Sequence, residues 1–424
     1  MSKKRHLIVG CGAAALSALK QIRKLGSDDE VQLVTMEDYL PYSPMSLPYL
    51  VSGRRKEEEI TIADNDFFKK MNATLTRGRC VTKIDPGTKK VMYDDGESDS
   101  YDTLLIASGS EPILQPALTA AGISGFHVMD DYVPLKEHKD NIKITILGAG
   151  FVGMELAVSL AERGHEITVI APRERILRLY FDKDLDDIII GLFAKHGIRI
   201  KRQWGEVTEV RNDNSSFEIC FESGKKNNAD LVIAATGVRP RVSFLNGSGI
   251  RINEGIVVDR GMETSIPGVF AAGDVAEAAN YLTGKDGLSL IRPSAVEQGK
   301  VAGSNMIGKE ARYDGWLSMN AFNFFGHFAC SIGEFMGTRE DDILVQKDEK
   351  NRHYGKIVCR DGRLVGANFF NMDIDGGVLQ YLIRNRIDVG PQKKLLLEKP
   401  KEAGLWFMHE AERKVAQPLE HQVI

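Results

Sequence analysis

His6-Leu-Ile-Val-Gly10-Cys-Gly12-Ala-Ala-Ala15 and Ile144-Thr-Ile-Leu-Gly148-Ala-Gly150-Phe-Val-Gly153-Met-Glu155 are two versions of one pattern, about 138 residues apart. In each, an apolar strand runs into glycines that permit a tight turn and a close backbone approach, and a helix opens directly after them. The amide groups and positive dipole end of that helix suit a pyrophosphate. One copy is a weak signal, equally compatible with an ordinary glycine-bearing strand–helix turn. Two copies imply two dinucleotides in one chain, and two bound dinucleotides imply electron transfer between them.

A chain of 424 residues exceeds what one core usually serves, so two or three domains are expected. Its 43% apolar and 27% charged residues are ordinary for a globular protein. The net charge of −4 gives no electrostatic case for a nucleic-acid partner. The five cysteines, Cys11, Cys80, Cys220, Cys330 and Cys359, lie far apart without C-x-x-C or metal-ligand spacing. That set reads as reduced thiols of a cytoplasmic protein with no metal centre. Lys3-Lys4-Arg5 followed by an apolar run and Cys11 imitates a secretory signal. Cleavage there would delete the first glycine strand and strand its downstream partners, so the signal reading is rejected. No other run approaches the ~20 apolar residues of a membrane span.

Working outward, Ala14–Leu25 reads as a helix and Val31–Met36 as the next strand, which ends at Glu37. A carboxylate at that point accepts the two hydroxyls of an adenosine ribose, unless it is only a solvated strand end. Asp102-Thr-Leu-Leu-Ile-Ala107-Ser108-Gly109-Ser110-Glu-Pro112 closes a second strand on small residues, and Asp230-Leu-Val-Ile-Ala-Ala235-Thr236-Gly237-Val-Arg-Pro240 repeats the design. Residues 114–240 therefore look like an inserted copy of the βαβ module. Farther on, Thr264–Asp274 is a strand ending in Gly273-Asp274, and Arg292-Pro293 opens a helix, with proline suited to its first turn. Beyond residue 318 the texture changes to short strands: Tyr354–Cys359 and Leu364–Phe370 flank Asp361-Gly362 as a hairpin. A helix near Gly377–Arg386 follows, and the tail holds Trp406, Phe407 and Met408 among charges, suiting a packed arm or a partner contact.

These elements, in this order, resemble the FAD-dependent pyridine nucleotide–disulfide oxidoreductase superfamily, on the branch with NADH oxidases, coenzyme A-disulfide reductases and ferredoxin or nitrite reductase flavoproteins. The resemblance implies an α/β fold with two Rossmann-like domains, the second inserted in the first, and a C-terminal α+β domain. The implied divisions are 1–113 with 241–318 for FAD, 114–240 for NAD(P), and 319–424 for an interface or dimerisation domain. Carried over residue by residue, Gly10, Gly12, Ala15 and Glu37 would hold the adenosine diphosphate of FAD and the Val81 backbone would meet adenine. Ala107, Ser108, Gly109 and Gly273 would line the site, Asp274 would meet the ribityl chain, and the helix opening at Ala295 would aim its dipole at the flavin. Gly148, Gly150, Val152, Gly153 and Gly237 would hold the nicotinamide nucleotide, with Glu155 near the nicotinamide and flavin, or else merely stabilising its helix dipole.

Two departures bear on function. In Tyr42-Ser-Pro44-Met45-Ser-Leu-Pro48-Tyr49, Met45 stands where thiol-using relatives carry a redox cysteine over the flavin. A thioether forms no sulfenate, persulfide or mixed disulfide, whatever its packing. The strand Ile167–Ile170 ends in Ala171-Pro172-Arg173-Glu-Arg175, so the acid that selects NAD is absent. Arg173 and Arg175 either meet a 2′-phosphate or are surface charges, which leaves NAD(H) and NADP(H) both open. The resulting expectation is an FAD-dependent NAD(P)H oxidoreductase. It would exchange a hydride between nicotinamide and flavin, with catalytic positions Glu155 and Met45, and pass electrons to or from a protein partner, an iron–sulfur protein. Such a chain resembles the flavoprotein subunit of phenylglyoxylate dehydrogenase-type complexes. Alternatives are a stand-alone oxidase reducing oxygen, a flavin-binding interaction protein and, last, a coenzyme A-disulfide reductase; a homodimer through the C-terminal domain is compatible with each.

Overall fold

A computed structural model describes residues 3–137, 141–213, 216–348 and 350–416. The chain divides into two compact units, Met1–Ile170 with Trp204–Trp316, and Ala171–Gln203 with Leu317–Ile424. Segment 171–203, inside the block expected for the second dinucleotide, thus groups with the C-terminal segment. The architecture is α/β, with two Rossmann-like modules and a C-terminal α+β sheet, as expected.

In the first unit, β1 (Arg5–Val9) runs into α1 (Ala13–Lys24) and then β2 (Glu30–Val34). β1 is buried from its second residue and apolar from Leu7 to Val9, as befits a central parallel strand covered on both faces. α1 buries Ala14, Ala15, Leu16, Ala18, Leu19 and Ile22, and stops where Gly26 takes φ +82°. A 3-10 turn (Pro44–Ser46) leads into α2 (Leu47–Val51), and β3 (Ala73–Thr76) and β4 (Thr103–Ile106) follow. The inserted module repeats the plan with β5 (Lys143–Leu147), α3 (Phe151–Glu162) and β6 (Glu166–Ile170). Past α4 (Lys183–Lys195), which belongs to the second unit, comes β7 (Leu231–Ala234). The first module is completed by β8 (Val269–Ala271) and α5 (Arg292–Met306).

The first sheet has the order β8-β4-β1-β2-β3, all parallel. In the inserted module β5 lies between β6 and β7, again all parallel. Both modules therefore switch direction beside their first strand, where open α/β sheets bind ligands at the strands' carboxyl ends. Residues 110–112 pair antiparallel with 238–240, so the outgoing and returning crossings of the insertion lie side by side. The hydroxyls of Ser108 and Thr236 fasten these crossings, donating to the carbonyls of Arg241 and Ile113.

In the second unit, β9 (Met319–Phe324), β10 (His327–Gly333), β11 (Asp342–Asp348), β12 (His353–Arg360) and β13 (Arg363–Phe370) form an antiparallel sheet ordered β9-β10-β13-β12-β11. Asp361 and Gly362 turn the β12–β13 hairpin with φ of +50° and +74°, the pair of positive angles such a two-residue turn requires. α6 (Gly376–Arg384) and α7 (Pro400–Ala416) follow; the tail is thus helical, with Phe407 buried and Trp406 exposed. Asp182 caps α4 and is buried with Tyr354, whose hydroxyl donates to it, and with Lys356, at 3.4 Å.

Candidate functional site

The two glycine turns have matching geometry. Gly10 has φ +104° and Gly148 +113°; a Cβ on either would sit 2.1 Å from a carbonyl oxygen of the neighbouring strand end, Ala107 or Ala235. Only glycine allows both that angle and that approach. Gly12 and Gly150, the N-caps of α1 and α3, have φ of −80° and −84°, and a Cβ there would meet nothing within 4 Å. Neither cap is filled by a side-chain hydrogen bond, and the first turn of α1 opens on a cavity. The third position differs. Gly153 is needed for packing, since a Cβ would lie 2.2 Å from the Gly148 carbonyl oxygen, whereas Ala15 is accommodated with 0% exposure. Ala15, expected to contact the cofactor, instead lies in the core and does not line the cavity.

A cavity of about 690 Å³ opens at the first turn, within the usual range for ligand sites. Gly10, Gly12, Glu37, Met45, Val81, Ala107, Ser108, Gly109, Gly273, Asp274 and Ala295 all line it. α5 reaches this cavity because Gly299 and Gly303 let it lie against α1; a Cβ at either would strike the backbone oxygen of Ala14 or Ala18 at 2.2 or 2.6 Å. The N-termini of α1 and α5 therefore open on the same space, and no side chain caps α5 either.

Of the carboxyls that line this cavity, Glu37 and Asp274 are held by hydroxyl groups and have no ion-pair partner among the described residues. Glu37 accepts a 2.5 Å hydrogen bond from the Tyr42 hydroxyl, which in turn accepts from the Met129 amide at 2.9 Å. Burial pushes the Glu37 carboxyl above its ordinary range, and the Tyr42 bond partly offsets this. Asp274 accepts a 2.9 Å bond from the Ser110 hydroxyl, and burial likewise raises it. Each has acceptor capacity left for a ligand's hydroxyl groups. The turn at Gly273, φ +86°, is held by Gln298, whose side-chain oxygen accepts the Gly273 amide at 2.8 Å. Unfilled helix termini, acceptor carboxyls and a cavity of this size fit a flavin dinucleotide.

Met45, 57% exposed, occupies the 3-10 turn at the cavity's edge. Cys11 and Cys80 also line the cavity, but burial, and then Glu37, push the Cys11 thiol up to about 12. Glu155 lies on α3 beside α2, close enough to Tyr49 for their charges to interact, and has no hydrogen-bond or ion-pair partner among the described residues. Burial alone raises its carboxyl to about 7. Val152, at the start of α3, is exposed. Gly237 (φ +106°) accepts the Ile113 amide at 2.9 Å and is absent from the lining of the first cavity.

Arg175 departs from the expectation. Its Nε bonds the buried Asp186 at 2.8 Å and a terminal nitrogen donates to the Phe181 carbonyl, so it is engaged inside the second unit. Arg173 is exposed. Sequence reasoning missed Tyr42, Ser110 and Gln298. Ser110 adjoins the Ser108-Gly109 motif, but nothing in the chain's order pairs it with Asp274 across 164 residues. Among the described residues there is no cluster of three or more metal-ligating side chains and no helix long and apolar enough to cross a membrane.

Residues 4–299 match the family described as pyridine nucleotide-disulphide oxidoreductase, and residues 319–374 match the rubredoxin NAD+ reductase C-terminal domain. The chain is 33% identical over 416 residues to subunit epsilon of the NADH-dependent phenylglyoxylate dehydrogenase of Aromatoleum evansii, covering 96% of this chain and 98% of that one. It is 31% identical over 371 residues to the NADH-rubredoxin oxidoreductase of Clostridium acetobutylicum, covering 85% and 92%. A chain of the covalent putidaredoxin reductase–putidaredoxin complex shares the fold, with a TM-score of 0.85 at 21% identity over 94% of this chain and 96% of that one.

Proposed function

The chain belongs to the pyridine nucleotide–disulphide oxidoreductase family, and from that premise we propose that it is the nicotinamide-handling flavoprotein of a redox system whose other partner is an iron–sulfur protein. It is an oxidoreductase with FAD as cofactor and NAD(H) or NADP(H) as the nucleotide. When bound, FAD supplies the step between two-electron hydride exchange and one-electron transfer. The protein's own residues bind, orient and shield. The α1 amides beyond Gly12 take the pyrophosphate; Glu37, steadied by Tyr42, takes the ribose; Asp274, steadied by Ser110, takes the ribityl hydroxyls. The α5 terminus near Ala295 favours negative charge at the ring edge. Gly148, Gly150, Val152 and Gly153 hold the second nucleotide.

The observation that carries this reading is the cavity wall itself. It carries Met45 at the position where the family resemblance implies a redox thiol in thiol-using members, and its Cys11 stays protonated near neutral pH. With no thiol relay at that position, electrons leave through a docked partner. The relative that acts on rubredoxin, and the matched rubredoxin NAD+ reductase C-terminal domain, support an iron–sulfur partner. We assign 1–113 with 241–318 to FAD, 114–240 to the nicotinamide nucleotide and 319–424 to partner or dimer contacts, and place the protein in the cytoplasm. The test is anaerobic reduction by NADH or NADPH, followed by transfer to a rubredoxin or ferredoxin. Flavin bleaching within seconds and partner-dependent turnover are expected. Fast NADH-dependent oxygen uptake without a partner, or turnover of coenzyme A disulfide, would overturn the proposal; bleaching over minutes would point to an interaction protein.

A further inference from the structure

The carboxyl of Glu155 makes no hydrogen bond or ion pair among the described residues. It sits four residues past the first residue of α3, about 6 Å along the axis at 1.5 Å per residue. Gly150 caps α3 without a side-chain hydrogen bond, and a Cβ on it would meet nothing within 4 Å, so phosphates placed at that turn lie just beyond the helix start. The face carrying Glu155 packs against α2, which continues from the turn holding Met45 at the flavin cavity. A dinucleotide that starts at the Gly150 turn and reaches that cavity runs past this face.

The charged and titratable groups around Glu155 do not neutralise it. α2 offers Tyr49, and of the two arginines that follow, Arg54 is taken by Glu162 farther along α3, while Arg55 is exposed. The strands beneath α3 carry Lys143 and Glu166 at their first residues. A half-buried acid without a cation is shifted toward its neutral form, and a cation brought beside it favours the ionised form.

We infer that Glu155 senses the oxidation state of the nicotinamide: it stays protonated beside the uncharged reduced ring and gives its proton to solvent beside the cationic oxidised ring. This rests on the reading of the second glycine turn as a nicotinamide-nucleotide site. The switch forms and breaks only the carboxyl O–H bond, and binding of the oxidised nucleotide supplies the charge that drives it.

Calorimetric titration of the FAD-loaded protein with NAD+ and with NADH, at pH 7 in two buffers of different ionisation enthalpy, counts the protons. Because the carboxyl is near half-titrated at that pH, NAD+ is expected to release about half a proton per site. NADH is expected to release none and to take up as much as about half a proton per site, as the half-ionised carboxyl becomes neutral. Below pH 6 the dissociation constant for NAD+ should rise about tenfold per pH unit. Glu155→Gln should abolish both effects and Tyr49→Phe should keep them. NAD+ binding without proton release by the native protein, or with undiminished release by Glu155→Gln, overturns the inference and leaves the functional reading standing. Failure of the native protein to bind NAD+, NADH, NADP+ and NADPH alike overturns that reading, and the inference with it. If Glu155→Gln does not fold, the native proton count decides alone.

Discussion

Gly10 and Gly12 are two residues apart, yet their replacement by alanine should produce opposite phenotypes. At Gly10 the side chain meets two obstacles. The backbone holds φ +104°, which costs a residue with a Cβ about 1–3 kcal/mol. The added carbon also lies 2.1 Å from the Ala107 oxygen and 2.7 Å from its carbonyl carbon. The central strands β1 and β4 must then separate by more than an ångström, an overpacking cost of about 1–3 kcal/mol. Together these reach roughly 2–6 kcal/mol, a large part of the about 5–15 kcal/mol by which domains are stable. At Gly12, φ is −80° and the new carbon meets no protein atom within 4 Å. Apoprotein stability should fall by only about 0.5–1 kcal/mol, the loss of a tolerable helix cap. The same carbon, however, fills the space in front of the α1 amides. Losing one charge-assisted hydrogen bond to phosphate costs about 2–3 kcal/mol, which is roughly 30- to 150-fold in FAD affinity. Urea unfolding of the FAD-stripped protein measures the first effect and quenching of FAD fluorescence the second. Equal destabilisation by both variants, or unchanged FAD affinity in Gly12→Ala, would refute the reasoning.

The second turn should behave likewise. Gly150→Ala is expected to weaken NAD(H) or NADP(H) binding by about 30-fold or more while retaining stoichiometric FAD, checked by nucleotide titration of the flavin spectrum. Glu155 makes stability depend on pH. Its folded pKa is raised to about 7, so its favourable contribution is complete below the unfolded value and is lost as pH rises through about 7. At about 1.4 kcal/mol per pH unit over that window, Glu155→Gln should be more stable than the native FAD-stripped protein by on the order of 2–3 kcal/mol at pH 8.5, with no gain at pH 4; a gain that is the same at both pH values would contradict this. Tyr354→Phe removes the hydroxyl that donates to buried Asp182 and should destabilise the second unit by about 1–3 kcal/mol, read as an earlier unfolding transition; an unchanged transition would show that Lys356 suffices.

Much of this protein is legible in its order of residues because the determinants are local. Gly10 and Gly148 announce positive φ and a near carbonyl, an apolar run announces a buried parallel strand, and Asp361-Gly362 announces a tight hairpin. The duplication could be read because each module repeats its own strand, turn and helix. Met45 could be read because a missing thiol is a fact about one side chain. Boundaries shifted by a residue or two, as at β2, where Thr35 and Met36 fall outside the strand that was expected to reach Glu37.

What the chain by itself determined, then, is the set of parts: two dinucleotide turns, the acids that could serve them, and the absence of a thiol. Only the tertiary structure decided which parts meet and which are already occupied. Ser110 reaches Asp274, Tyr42 steadies Glu37, and Gln298 holds the Gly273 turn, each through contacts between separate elements. Arg175, conspicuous in the sequence, is consumed by Asp186 and the Phe181 carbonyl, whereas Glu155 is left unpaired beside α2. The physical reason is that a charge's role depends on desolvation and on the partners around it, and both are set by packing between distant segments rather than by neighbours along the chain.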